Sequence, residues 1–382
     1  MGFTRRVFLG GAAGLAGVAG ARASTGSRWA GAQAGAWDVV DLITLTDAIS
    51  FNEREHRGFF FDMNTAGEIS GAFAVSDVKF SPTIWSPAGK AKRLKSGKYG
   101  GEVNAINNNG VAVGSGYLDI LGFPSEPPIF LPDNTAPRAW LDGTPVELEM
   151  PGDSAKGTIY DVNDDGVMVG YVLDPALNQQ VPVMWRDGAA TGVAGGSLGG
   201  GYAIRVNNAG DIGGYASVEG SYAAVLWRGD EMEALAFPPA LDLPADSTAS
   251  LSIIELGDNE RILASVTVPN TVDASTVTYS DVSFVQEKGE WTMLASPDES
   301  RPSVTGVSIN ANGAVVGSIQ GEEDVAFALW EDGVGRILND EFELPGGLTL
   351  TRLIRINDEG QILARATGDD SSLHAIVLSP TA

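Results

Sequence analysis

From about residue 37 onward the chain alternates short apolar runs with small polar turns, and the alternation follows one grammar. An apolar residue is followed by Asn, two variable residues, Gly, a short apolar run, and then Gly or Ala, as in Ile309-Asn310-Ala311-Asn312-Gly313-Ala314-Val315-Val316-Gly317. Copies begin at Asn64, Asn107, Asn163, Asn207, Asn310 and Asn357, and a worn copy begins at Gly257, with Glu260 in the place of the inner Gly. Asn suits the first position of a type I turn because its side chain accepts a hydrogen bond from the backbone ahead. The Gly three residues later (Gly67, Gly110, Gly166, Gly210, Gly313 and Gly360) supplies the positive φ that closes such a turn into a hairpin with a bulge. Flanking residues such as Ile309 and Val315 are β-branched and favour strands. The small residue that ends each run (Gly71, Gly114, Gly170, Gly214, Ala264, Gly317 or Ala364) predicts a tight approach by a neighbouring backbone.

A second element follows each hairpin: an apolar strand ending in Trp, then a short turn and Gly. It reads Ile84-Trp85 to Gly89, Ala139-Trp140 to Gly143, Met184-Trp185 to Gly188, Leu226-Trp227 to Gly229 and Leu329-Trp330 to Gly333. Gln286 takes the Trp place before Gly289, and the last copy ends Leu378-Ser379. Most copies add one more apolar strand, such as Val146-Glu147-Leu148 or Arg336-Ile337-Leu338. Each unit is thus four strands, A to D, in two tight hairpins. The A–B turns fall at 64–67, 107–110, 163–166, 207–210, 257–260, 310–313 and 357–360. Neighbouring turns stand between 43 and 56 residues apart, which fits the blades of a β-propeller. No stretch holds a 3.6-residue period over several turns, so a helical solenoid is excluded.

The strand count predicts closure. Seven A–B hairpins and seven C strands are present, but only six D strands, because the chain stops soon after the last C strand. The unused strand from Val39 to Leu45 can supply the seventh, and a ring joined in this way removes the exposed edges of an open array. The expectation is a single all-β domain over residues 37–382: a seven-bladed β-propeller of four-stranded antiparallel blades, closed by an N-terminal strand that completes the last blade.

These motifs resemble the HAF family of extracellular repeats, named for a His-Ala-Phe triplet before Leu-Trp. The residues that carry the likeness are Ile309-Asn310, Gly313 and Val316-Gly317, followed by Ala326-Phe327-Ala328-Leu329-Trp330. The likeness covers about residues 38–380. His stands before Ala only at His374, where Ile376 replaces Phe, and the Trp is missing from two of the copies. The resemblance implies exported proteins with propeller-like repeats and no particular activity.

The N-terminal residues support export. Arg5-Arg6 precedes a weakly hydrophobic, Gly- and Ala-rich stretch, and Ala21-Arg22-Ala23 offers small residues at a cleavage site. Residues 1–23 are therefore expected to be a twin-arginine signal peptide rather than an uncleaved anchor, because the apolar run is short and Gly-rich for a spanning helix. Residues 24–36 read as a flexible leader. The expected location is the periplasm or the cell exterior, with no membrane attachment after signal removal. The formal net charge of -25 argues against binding to nucleic acid or an anionic membrane surface, and the absence of Cys removes disulfide and thiolate chemistry. A monomer is expected.

Candidate chemistry is thin, and no cofactor is expected. Asp161-Val162-Asn163-Asp164-Asp165-Gly166 has the opening of a calcium loop, with Asp161, Asn163 and Asp165 as the candidate ligands. Val169 and Val172 then stand where the loop needs ligands, so an ordinary hairpin turn is the plainer account. The two His, His56 and His374, are far apart, and no Gly-x-Ser-x-Gly elbow supports a Ser-His-Asp site. Gly195 to Gly201 lacks the Lys of a phosphate-binding loop, and Arg228-Gly229-Asp230 coincides with a C–D turn that needs Gly in any case. The acids Glu322-Glu323-Asp324 and Asp369-Asp370 fall on loops.

Two function classes follow. The first is a binding or interaction scaffold for a protein or glycan partner. The second is a secreted hydrolase or lyase acting on polysaccharide, with acids near the central channel. The longest B–C loop, from about Ser115 to Arg138, carries Tyr117, Phe123 and Phe130 and is the candidate contact surface.

Overall fold

The structure, a computed structural model, describes residues 37–44, 58–76, 79–118, 134–152, 154–193, 200–243, 247–273, 276–322, 324–369 and 372–381. Residues 1–36, expected to hold a signal peptide and leader, His56, Phe123, Phe130, Glu323, Asp370 and most of the Gly195–Gly201 stretch lie outside them.

The described chain is all-β and mostly built of four-stranded antiparallel sheets. Gly58–Met63, Ile69–Ser76, Lys79–Trp85 and Ala91–Arg93 form the first. Gly101–Ile106, Val111–Tyr117, Thr135–Leu141 and Thr144–Val146 form the second. Gly157–Val162, Met168–Asp174, Gln179–Arg186 and Ala189–Gly192 form the third, and Gly201–Val206, Ile212–Val218, Ser221–Arg228 and Glu231–Ala234 the fourth. Two further groups of four are Ser250–Gly257, Arg261–Asp273, Thr276–Glu287 and Glu290–Met293, then Ser303–Ile309, Val315–Gln320, Val325–Glu331 and Val334–Ile337. One parallel pairing, Val282 with Val304, joins these two groups into an eight-stranded sheet. The last sheet combines Thr349–Ile356, Ile362–Thr367 and Leu373–Pro380 with Trp37–Thr44 from the other end of the chain. That N-terminal strand runs antiparallel to Leu373–Pro380, with Trp37 opposite Pro380 and Thr44 opposite His374. Among the described residues no helix is long and apolar enough to cross a membrane.

The six Asn-x-x-Gly turns share one geometry. At Gly67, Gly166, Gly210, Gly313 and Gly360 the Gly N–H donates to the Asn carbonyl three residues back, at 3.0 Å in the first copy and 2.9 Å at Gly313. The Gly φ values run from 76° at Gly166 to 87° at Gly210. In the worn copy Asn259 and Glu260 adopt φ of 63° and 61°, a left-handed backbone without glycine to relieve it.

Every first strand carries a β-bulge just before its turn, for example between Phe60 and Asp62, Ile159 and Asp161, and Leu353 and Arg355. The bulge refines the expectation for the small residue. A Cβ on Gly114, Gly170 or Gly317 would stand 2.2, 2.0 or 2.2 Å from a carbonyl oxygen of the A strand in the same hairpin. The tight approach is therefore within the hairpin, where the bulge tips a carbonyl inward, and not to a neighbouring unit.

Apolar clusters form between successive sheets. Ile84 and Leu94 of the first pack with Val103, Ile106 and Trp140 of the second. Met63, Ile69 and Trp85 of the first pack with Leu363, Ala375 and Val377 of the last. The repeated Trp are core: Trp140 and Trp185 are 0% exposed, and their indole N–H groups donate to the backbone oxygens of Lys95 and Glu149. Where Gln286 replaces Trp, Phe284 fills the interior, packed edge-on against Trp291 at 6.3 Å.

Candidate functional site: a charged cavity lined by every repeat

The A–B turns of all seven copies surround one polar cavity of about 110 Å³. Two hydrogen-bonded circuits build its wall. In the first, each turn Asn accepts from the backbone N–H four residues ahead and sends its amide to the turn of the next copy. Asn64 donates to the carbonyl of Asn107 at 3.1 Å, Asn107 to Asn163 at 2.8 Å, Asn163 to Asn207 at 2.9 Å and Asn207 to Gly257 at 3.3 Å. Asn310 donates to Asn357 at 3.1 Å, and Asn357 to Asn64 at 3.1 Å. This explains why Asn is used: its oxygen serves the turn while its nitrogen serves the neighbour. In the second circuit the next residue reaches across. The N–H groups of Thr65, Asn108, Asp164 and Asn208 donate to the side chains of Asn108, Asp164, Asn208 and Asp258. Ala311 N–H donates to Asp358 at 2.8 Å.

The chemistry sits two residues before each Asn, immediately after the bulge. That position holds Asp62, Ala105, Asp161, Arg205, Glu255 (before Gly257), Ser308 and Arg355. The carboxylates accept from the next strand over: Asp62 from Ile106 N–H at 3.0 Å, Asp161 from Val206 N–H at 2.9 Å and Glu255 from Ile309 N–H at 3.0 Å. The Ser308 hydroxyl takes the same role for Ile356 N–H at 3.2 Å. Copy two offers only Ala105, and the Val162 N–H it leaves is served by Asp161's own second oxygen at 2.9 Å. Arg355 bridges two of these carboxylates. Its Nε lies 2.9 Å from Asp62 Oδ1, an ion-pair distance off the hydrogen-bond line, and its Nη1 pairs with Glu255.

Burial and charge set the protonation states. Burial pushes Asp161 up to about 6, against the pull of the Arg205 charge and the Val206 N–H. Burial alone would weaken the charge on Arg355, but Asp62, Glu255, Asp161 and Asp358 outweigh it and raise its pKa. Farther along the same inner strands Glu102 lies buried and accepts from the Tyr117 hydroxyl at 3.1 Å. Burial pushes Glu102 up to about 7, partly offset by that hydrogen bond. Tyr160 and Tyr202 follow on the next two inner strands, ring centres 6.5 Å apart, and Tyr215 lies 5.2 Å from Tyr202. Burial raises Tyr160 and lifts Tyr202 to about 12.

Residues singled out in the sequence fall as follows. Asp161, Asn163 and Asp165 do not share a ligand sphere: Asp161 binds backbone N–H groups, Asn163 binds Val167 and Asn207, and Asp165 is exposed. Among the described residues no group of three His, Cys, Asp or Glu could hold a metal ion. Tyr117 is not on a loop: its strand runs through it, Thr135 opens the next, and its hydroxyl points at Glu102. The B–C connection is therefore shorter than the 115–138 span expected. His374 lies buried in the last C strand between Asp41 and Ser372. Asp62, Arg205, Glu255 and Arg355 belong to no motif of the sequence analysis above. Their signal was present, because aligning the copies puts a charge at one offset where other copies hold Ala105 or Ser308.

No protein-family profile matches the chain, and no curated protein matches it. Solved structures do. A puromycin hydrolase S511A mutant complexed with PGG is similar over 86% of this chain and 52% of its own, at 8% identity and a TM-score of 0.54. An oligogalacturonate lyase from Vibrio parahaemolyticus is similar over 85% of this chain and 90% of its own, at 11% identity and a TM-score of 0.50. The β-propeller domain of the Trilobed protease from Pyrococcus furiosus matches at 10% identity over 85% of this chain and 94% of its own, with a TM-score of 0.46. The chain spans about half the length of the puromycin hydrolase it matches. At such identities the likeness is one of fold alone, and that fold is an all-β, propeller-like array of antiparallel sheets.

Proposed function

We propose that the chain is a closed seven-bladed β-propeller that works as a binding scaffold, and that it takes a cationic group, an ammonium or a guanidinium, at the cavity ringed by its A–B turns. Closure is supported by the pairing of Trp37–Thr44 with Leu373–Pro380 and by the bond from Asn357 to Asn64. The one-residue parallel pairing of Val282 with Val304 is the touch between two blades. The observation that carries the binding proposal is the lining of the cavity: Asp62, Asp161, Asp164, Glu255, Asp258 and Asp358 against one cation, Arg355. Walls of low dielectric concentrate that field on whatever enters. The proposal moves the site from the B–C loops, where the sequence placed it, to the opposite face.

The alternative, a hydrolase or lyase acting on polysaccharide, has no comparable support at this cavity. Asp62, Asp161 and Glu255 each spend an oxygen on a backbone N–H, which ties these carboxyls to the wall of the cavity. Export by the twin-arginine route to the periplasm or beyond, as a monomeric HAF-like protein, is part of the same proposal. It is motivated by Arg5-Arg6 and the repeat.

The test is calorimetric titration with spermidine and with short Arg- or Lys-rich peptides at low salt. Binding in the micromolar range, weakened at least tenfold in an Asp258→Asn/Asp358→Asn double variant, is expected. Absence of binding by every cationic probe, or equal affinity in the double variant, would overturn the site.

A further inference from the structure

We infer that Ser372, His374 and Asp41 form a nucleophilic site that accepts an acyl group from a neutral carboxylic ester. The inference goes beyond the binding proposal and uses none of its residues. His374 Nε2 lies 2.8 Å from the Ser372 hydroxyl, and His374 Nδ1 lies 3.0 Å from Asp41 Oδ2. This is the order that serine acyl transfer requires: nucleophile, general base, and a carboxylate that fixes the base's tautomer.

The fold explains how three residues with no shared motif meet. Ser372 stands just before the last C strand and His374 is its second residue, two positions on, so extended backbone puts their side chains on one face. The Gly368 N–H donates to the Ser372 carbonyl at 2.9 Å and pins the backbone at the serine. Asp41 comes from the N-terminal strand, 333 residues away in sequence from His374. It pairs with Ile376, and the bulge between Asp41 and Ile43 swings its carboxylate diagonally onto the imidazole. Ser372 and His374 are each 7% exposed, so the pair is shielded from bulk water, while Asp41 is more open.

The step balances within these groups. Ser372 Oγ attacks the ester carbonyl carbon as its proton passes to His374 Nε2. The tetrahedral adduct collapses, the carbon–oxygen bond to the alcohol breaks, and the departing alkoxide takes the proton from His374. An acyl-Ser372 ester remains, and water attacking with His374 as base releases the carboxylic acid. Asp41 is a positioning residue: it holds Nδ1–H and leaves Nε2 unprotonated to accept. The carboxylate of Asp41, 3.0 Å from His374 Nδ1, disfavours an anionic acyl group, hence a neutral ester.

The experiment uses a fluorophosphonate, which replaces the ester with a phosphorus centre and fluoride as leaving group, with chymotrypsin as positive control. One phosphonyl group is expected on the peptide holding Ser372, and none in Ser372→Ala. Labelling should slow at least tenfold in His374→Gln. Asp41→Asn should slow it and change its pH–rate profile, a readout that a purely structural contact would not move. p-Nitrophenyl acetate should give a burst of one equivalent of p-nitrophenol in the unaltered protein. Folding of each variant is checked by circular dichroism. Because Ser372→Ala removes only one oxygen, it keeps the test decisive if a His374 variant unfolds. Failure of the folded protein to label, labelling at another serine, or undiminished labelling in Ser372→Ala would overturn the site. None of these outcomes bears on the cationic cavity, which the titration reads separately.

Discussion

The side-chain amide of Asn357 donates to the backbone carbonyl of Asn64, 293 residues earlier, at 3.1 Å. The same carboxamide accepts from Gln361 N–H at 2.9 Å. One residue thus holds its own turn and ties the last repeat to the first. Asn357→Ala strips the inter-repeat donor from the Asn64 carbonyl, which keeps only Gly67 N–H, and leaves the Gln361 N–H without its side-chain acceptor, at a cost of about 1–3 kcal/mol. The urea midpoint should fall accordingly, and Asn107→Ala, an interior link of the same circuit, should fall by a similar amount.

Removing residues 37–44 should lower the melting temperature by about 5 °C or more. The deletion strips the outer strand from the last sheet and the Trp37 indole bond to Glu341 at 2.8 Å. Differential scanning calorimetry checks it. An unchanged melting temperature would mean that the strand adds nothing to stability and would count against closure by this route.

The turns offer a matched pair of substitutions. Gly313 sits at φ 86° with the Arg261 guanidinium 3.1 Å from where a Cβ would be, so Gly313→Val should destabilise by about 1–2 kcal/mol. Glu260, at φ 61° in the worn copy, is already strained, and Glu260→Gly should stabilise by up to about 1 kcal/mol. Opposite shifts of the denaturant midpoint are the expected result.

Two buried carboxyls bear on pH. Glu102 and Asp161 have folded pKa values of about 7 and about 6, raised from 4.5 and 3.8 mainly by burial. Within that window the native state holds protons that the unfolded chain has lost. Each group's destabilising effect is therefore absent below its unfolded pKa and complete above its folded one, and stability should fall as pH rises from about 4 to 7. Glu102→Gln keeps a partner for Tyr117 and cannot ionise. Its urea midpoint should change less between pH 5 and pH 7.5 than that of the unaltered protein.

Much of the architecture was legible because the repeat is a local code. Asn310 and Gly313 are near neighbours, and the turn they make depends on side-chain and backbone preferences within four residues. The strand alternation and the buried Trp positions followed for the same reason, since each unit must bury one face on its neighbour. Tyr117 was misread because its strand continues past the point where the apolar run dissolves into Ser, Gly and Pro. Tertiary pairing with Thr135 extended the strand where local propensity gave no signal.

Local periodicity thus carried the strands, the turns and the expectation of a ring, because each is a property of a few adjacent residues repeated. It did not carry the charged cavity or the His374 cluster. Arg355 meets Asp62 and Glu255 only because the inner strands of distant copies converge, and a bulge in each turns one side chain toward the centre. Asp41 reaches His374 only through the register between opposite ends of the chain. Such contacts depend on distances between residues far apart in sequence, and those distances exist only once the sheets have packed.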